Sequence, residues 1–222
     1  MNKVNFLNVE LEYSENVFRP TLLSEKCALN VDFKKKKILD LGCGIGPLAI
    51  YFAKNGALSV DATDIYEEHL RFTKKNSNLN DVKINVFKSD LFQKITKKYE
   101  LICCDVSGVK EGVARLTGWF PEEVPKADNS GANLILNVIK NSKNFLVNDG
   151  ELIICTTSFS DEKSIFEAFE KFFPGSYKKI YSEEVPFSRR LNKNIHILDK
   201  DSFCEKNGIN YWKFSIFSLR KA

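Results

Sequence analysis

The chain has 222 residues, 43% of them hydrophobic and 28% charged, a length and balance that suit one buried α/β core with a small appendage and exclude a disordered or fibrous polymer. The net charge of +4 comes largely from Lys34 to Lys37 and from Arg220 and Lys221; a short lysine run ahead of a strand reads as a solvated loop and does not establish nucleic-acid binding. No apolar run approaches a membrane span and the N-terminus lacks a leader pattern, so the cytoplasm is the expected location.

In chain order, residues 1–36 read as a short N-terminal extension, helical around Thr21 to Leu29. Ile38 to Leu41 is a buried strand. Pro47 to Asn55 is a helix, with proline in its first turn and Gly56 placed to end it. Leu58 to Thr63 is a second strand ending at Asp64, with Asp61 pointing to solvent. Tyr66 to Leu79 is a helix, and Asn76, Asn78 and Asn80 mark its frayed end. Lys83 to Phe87 and Glu100 to Val106 are the third and fourth strands. A long connection, 107–130, contains Trp119, Phe120 and Pro121, and connections of that length usually have a task. Ala132 to Leu146 has a helical period, capped in front by Asp128, Asn129 or Ser130. Glu151 to Thr157 is a fifth strand, Asp161 to Phe172 a helix capped by Asp161 or Ser160, and Tyr177 to Val185 and Phe214 to Leu219 are two final strands. This alternation predicts a doubly wound, mainly parallel seven-stranded α/β sheet over 37–222, with an antiparallel strand at one edge.

Six cysteines are present: Cys27, Cys43, Cys103, Cys104, Cys155 and Cys204. Adjacent Cys103 and Cys104 face opposite sides of a strand and cannot share a metal, and no C-x-x-C pattern occurs, so reduced thiols and no metal are expected.

The densest information lies in Asp40-Leu41-Gly42-Cys43-Gly44-Ile45-Gly46-Pro47. A buried strand enters a turn stripped of side chains and leaves it as a helix, which brings a ligand against bare backbone at the strand's carboxyl end. Dinucleotide sites use G-x-G-x-x-G; here the glycines recur at every second residue and proline stands where the third dinucleotide glycine would fall. Asp64 closes the second strand, 18 residues after Gly46, where a carboxylate can accept ribose hydroxyls.

The loop, with Asp40 ahead of it, resembles that of the class I methyltransferases that use S-adenosylmethionine. Val17-Phe18-Arg19-Pro20-Thr21-Leu22-Leu23-Ser24 resembles the lead-in segment of their HemK-like, small-domain branch, and Asp90-Leu91-Phe92 resembles the D-L-F that follows that branch's third strand. The resemblance spans about residues 17–160. It implies S-adenosyl-L-methionine as cofactor, held by Pro20, Asp40, Gly42, Cys43, Gly44, Gly46, Asp64, Ile65, Asp90 and Leu91, with Asp90 against the adenine. It also implies a methyl acceptor at the end of the fourth strand, where Asp105 takes the position that orients or deprotonates an amine.

That branch carries N-P-P-Y or D-P-P-Y at this point; here Val106, Ser107 and Gly108 replace the two prolines and the stacking aromatic. The substrate side is therefore expected at Phe18, Ser107, Trp119 and Phe120, with 107–130 as a lid. Arg115, Arg189 and Arg190 are candidates for an acidic substrate group, while His69 and His196 lack a partner pattern. The leading expectation is N-methylation of a small-molecule acceptor. Alternatives are an RNA base or a protein side-chain amide as acceptor, a dinucleotide-dependent oxidoreductase, or a non-catalytic S-adenosylmethionine-binding protein.

Overall fold

The computed structural model of the chain describes residues 1–106, 108–117, 120 and 128–222. A hairpin of β1 (Asn2–Phe6) and β2 (Val9–Tyr13) precedes helix α1 (Leu22–Asn30). The main body follows as β3 (Lys37–Leu41), α2 (Pro47–Lys54), β4 (Ser59–Asp64), α3 (Glu67–Leu79), β5 (Asn85–Lys88) and β6 (Tyr99–Cys104). After α4 (Glu111–Thr117) and α5 (Asn133–Ser142) come β7 (Leu146–Thr157), α6 (Glu162–Phe172), β8 (Tyr177–Pro186), α7 (Arg189–Lys193), β9 (Cys204–Lys206) and β10 (Ile209–Arg220).

The sheet runs β5-β4-β3-β6-β7-β10-β8, with β9 added to the end of β10. Strands β3 to β7 pair in parallel. The last two long strands do pair antiparallel at one edge, and the reversed one is β10, inserted between β7 and β8. Chain order reverses between β3 and β6: the chain leaves β3 toward β4 and returns on the other side to form β6. A crevice opens at such a switch point, outside the carboxyl ends of the strands.

Period-two alternation divides the core between two layers. Ile38, Leu101, Cys103, Ile153, Cys155 and Ile216 face α1, α2 and α3, where Cys27, Phe52 and Phe72 meet them. Leu39, Leu41, Ile102, Cys104, Ile154 and Phe217 face α5 and α6, against Ile135, Ile139, Ile165 and Phe169. A third cluster joins Val113 of α4 to Phe159, Phe187, Leu191 and Leu198, so the segment between β8 and β10 buttresses the start of the 107–130 connection.

Three expectations change. The N-terminal segment is helical only over α1; residues 2–13 form a hairpin whose Val9 and Leu11 are buried. Its turn places Leu7, not a glycine or asparagine, at φ 53°, which hides it from turn-based reading. Asp61 does not point to solvent. It is buried and accepts from Tyr99 Oη at 2.7 Å, Lys97 Nζ at 3.0 Å and Asn85 Nδ2 at 3.2 Å.

The end of α3 is not frayed at Asn76 and Asn80. These two side chains replace a missing strand partner for β2. Asn76 accepts from Glu12 N at 2.8 Å and donates to Glu12 O at 3.1 Å. Asn80 accepts from Glu10 N at 3.1 Å and donates to Glu10 O at 2.7 Å. The i, i+4 spacing on the helix matches the i, i+2 spacing of one strand edge.

Replacing Asn76 by alanine leaves buried backbone groups without partners and is expected to cost about 3 kcal/mol. The urea midpoint should fall and hairpin amides should exchange faster, whereas Asn78→Ala, on the exposed side of the same turn, should change stability by less than about 0.5 kcal/mol.

Candidate active site

The turn between β3 and α2 follows from its sequence. Leu41 ends a buried strand, and Gly46 caps α2 at φ 89°, with Pro47 as the first helical residue. A Cβ on Gly46 would lie 2.9 Å from Thr73 Cγ2, so glycine here permits both the turn and the close approach of α3. By contrast, nothing lies within 4 Å of the Cβ position at Gly44. The backbone there borders open space, which is where a ligand can come close.

Polar side chains pin this turn from below. Asp64, at the end of β4, accepts from Gly44 N at 2.9 Å through Oδ2 and from Tyr66 N at 2.9 Å through Oδ1. His69 Nδ1 lies 3.2 Å from the same Oδ1. Thr73 Oγ1 donates to Gly44 O at 2.7 Å, and Asn76 Nδ2 donates to Ile45 O at 2.9 Å. His69, Thr73 and Asn76 escaped the sequence reading as site residues. Their spacing of four and three along α3 is a helical stripe, but one built from polar side chains and so invisible to a search for apolar periodicity.

The cleft at the switch point is lined by Phe18, Pro20, Ser24, Asp40, Gly42, Cys43, Gly44, Ile45, Pro47, Leu48 and Asp105. The fold thus brings the lead-in segment, the glycine turn and the end of β6 to one place, although they are far apart in sequence. Asp40 is buried and accepts from Ala49 N at 3.0 Å; burial pushes its carboxyl pKa up to about 8. Asp105 accepts from Ser24 Oγ at 2.6 Å, and burial pushes its pKa up to about 7. Burial also raises the Cys43 thiol well above its ordinary value, keeping it neutral.

Asp64 and Asp90 flank this cleft rather than line it. Ser89 N donates to Asp64 O at 3.1 Å, which sets the end of β5 beside the end of β4. Ile65 and Asp90 are exposed, and Asp90 accepts from Gln93 Nε2 at 3.0 Å. Leu91 follows at φ 44°. On the other flank, the ring of Phe18, which lines the cleft, lies 5.1 Å from the ring of Phe120. Ser107 and Trp119 lie outside the described residues. Arg115 pairs with Glu111, and Arg190 donates to Arg115 O at 3.2 Å, so that pair ties α7 to α4. Val106, in place of a proline, packs against Gly42, where a Cβ would meet Val106 Cγ1 at 2.6 Å.

The family described as Methyltransferase small domain matches residues 20–105, the span that carries this turn and ends on Asp105. Over that span the chain is similar to the S-adenosylmethionine-dependent methyltransferases. It is 28% identical over 186 residues to a putative protein N5-glutamine methyltransferase of Methanocaldococcus jannaschii, covering 82% of this chain and 93% of that relative. It is 25% identical to a release factor glutamine methyltransferase of Streptococcus pneumoniae, covering 78% of this chain but 66% of that longer protein. The fold is similar to that of a T. thermophilus 16S rRNA methyltransferase solved with AdoMet and guanosine. That likeness has a TM-score of 0.64 at 16% identity and covers 100% of this chain and 50% of the other.

S-adenosylmethionine is the cofactor, and the residues present fit it. The open backbone at Gly44, the buried Asp40 carboxyl below the turn, which a bound cation would draw into its ionised form, and the carboxylate of Asp64 beside it suit a cationic amino-acid end and a ribose better than a pyrophosphate.

The raised Asp40 and Asp105 carboxyls set a pH dependence. Between about pH 4 and pH 8 the free folded protein retains protons that the unfolded chain has released, so stability falls as pH rises through this window and levels off above it. Thermal melts should show this decline. Asp40→Asn, which keeps an oxygen for Ala49 N, should flatten it and raise the melting temperature at pH 8.

Proposed function

We propose that the chain methylates the nitrogen of an amine, with Asp105 as the group that holds and deprotonates it. The observation that carries this reading is the Asp105 carboxylate, at the end of β6 and on the rim of the same cleft as Asp40 and Gly44. A carboxylate only accepts hydrogen bonds, so it can hold the N–H of a neutral amine and take the proton that the nitrogen loses. The names of two relatives point to a protein acceptor, and the loss of the N-P-P-Y motif, which suits a planar amide, favours a side-chain amine there. Those names give no support to a small-molecule acceptor. The chain spans nearly all of the archaeal relative's length, so a comparable protein substrate is the natural candidate.

In this scheme the bound cofactor supplies an electrophilic methyl group on a sulfonium. The protein's tasks are alignment, exclusion of water and proton handling. Asp40 and the backbone at Gly44 hold the amino-acid end of the cofactor, Asp64 the ribose and Asp90 the adenine. Phe18 and Phe120 stand on the acceptor side of the cleft. Asp105 would accept an N–H of the neutral amine, orient its lone pair and take the proton that the nitrogen gives up on methylation. A carboxyl pKa near 7 is matched to receiving that proton at neutral pH.

Cofactor and acceptor roles separate by mutation. Calorimetry with S-adenosylhomocysteine should give tight binding that Asp64→Ala abolishes; binding of NAD in its place would restore the oxidoreductase alternative. Asp105→Ala should retain S-adenosylhomocysteine binding while turnover falls by about 10²–10⁴-fold. Incubating cell extract with methyl-labelled cofactor should place label in the protein fraction as methylated amine. Label in RNA or in small metabolites would refute the protein acceptor, and undiminished turnover in Asp105→Ala would refute the role of that carboxylate.

A further inference from the structure

We infer that Ser24 is a positioning residue for Asp105, with its hydroxyl proton aimed by the first turn of α1. This inference rests on the reading of Asp105 as the group that holds the acceptor.

The geometry is a directed chain. Thr21 caps α1, and Ser24 occupies the third helical position. Thr21 N donates to Ser24 Oγ at 3.2 Å, and Ser24 N donates to Thr21 Oγ1 at 3.3 Å, the reciprocal bonds of a capping box. The serine oxygen therefore serves as an acceptor inside the helix turn. A hydroxyl has one hydrogen, and this one is directed to Asp105 Oδ2, 2.6 Å away. Ser24 is only 3% exposed, so water does not compete for that hydrogen. Glutamate or glutamine commonly fills the third position of a capping box. Glutamate here would set a second carboxylate against Asp105, so serine satisfies the helix end while also serving the site.

Fixing Oδ2 fixes the plane of the carboxylate and leaves Oδ1 for the N–H of an acceptor. The groups that face Asp105 come from every neighbouring element. Cys155 of β7, Cys27 of α1, Asp40 of β3 and Cys103 of β6 stand around it. Burial raises the Asp105 carboxyl, whereas the Ser24 bond opposes that rise. Among these, Ser24 supplies the oxygen–hydrogen donor, and oxygen donors form stronger bonds than thiols. The lead-in segment thus reaches the acceptor side through α1 as well as the cofactor side through Pro20.

The test compares the full chain with Ser24→Ala and Ser24→Thr, using S-adenosylhomocysteine binding to establish that each variant is folded. The Asp105 carboxyl is titrated by carbon-13 NMR, and methyl transfer to the labelled protein fraction is measured as a function of pH. Ser24→Ala should move the Asp105 titration up by about one pH unit, move the acid limb of the rate profile with it, and lower kcat about tenfold. Ser24→Thr, which keeps the hydroxyl, should restore all three. An unmoved Asp105 titration in Ser24→Ala overturns the inference, as does failure of the threonine variant to restore it while S-adenosylhomocysteine still binds. If the titration moves and threonine restores it while Asp105→Ala turns over at the full rate, the Ser24–Asp105 link stands and the catalytic reading of Asp105 fails.

Discussion

The site depends on a polar stripe down one side of α3. His69, Thr73, Asn76 and Asn80 are all buried, at the spacing that puts successive helical turns on one face. The upper members meet Asp64 and the glycine turn, while the lower members hold β2. Cys43 and Ile45 anchor the turn in the core, but its three glycines add no side-chain contacts, and its backbone groups must be satisfied from outside. The stripe does this with hydrogen bonds, which are directional, and therefore fixes the carbonyls as well as the position of the turn. Asn76 belongs to both halves, so the hairpin and the turn share a single side chain.

On the other side of the switch point a similar economy operates with α1. This helix packs Cys27 and Ala28 into the core and places Ser24 on Asp105. Two helices from different parts of the chain therefore fix the two halves of the cleft, α3 beneath the turn and α1 over the end of β6. The sheet supplies only the spacing between strand ends. Val106, after β6, meets the turn at Gly42, on the side away from the α3 hydrogen bonds to Gly44 and Ile45.

The sheet and the glycine turn were legible because their determinants are local. Buried parallel strands appear as short apolar runs, and the glycines with Pro47 mark the turn and the helix that follows. Asp161 was legible as a cap by the same logic and accepts from Ser164 N at 3.1 Å. What escaped was built from distant polar partners. Asn76 and Asn80 look like helix-ending residues until β2 is placed beside them. Asp61 looks like an outward strand residue until Tyr99 and Lys97 are brought over it by the sheet. Asp128 and Ser130, read as alternative caps, both act: Asp128 accepts from Asn133 N and Ser130 Oγ from Ala132 N, while Ala132 itself stands at the cap position. Ser24 was visible within the lead-in pattern, but its link to Asp105 spans 81 residues and no local pattern carries it.

The cysteines extend this picture from geometry to motion. Cys27, Cys103 and Cys155 come together beneath Asp105, with Cys27 and Cys103 sulfurs 3.6 Å apart, and Cys43 and Cys104 are buried nearby, whereas Cys204 lies exposed on β9. A thiol sealed in the core meets an alkylating reagent only when its surroundings open, so its labelling rate measures the free energy of that opening. The chain therefore carries its own reporters: a fast thiol at the outer edge, and slow ones distributed over α1, β6, β7 and the glycine turn. Their relative rates would reveal whether the two helices that clasp the cleft release it together or one at a time.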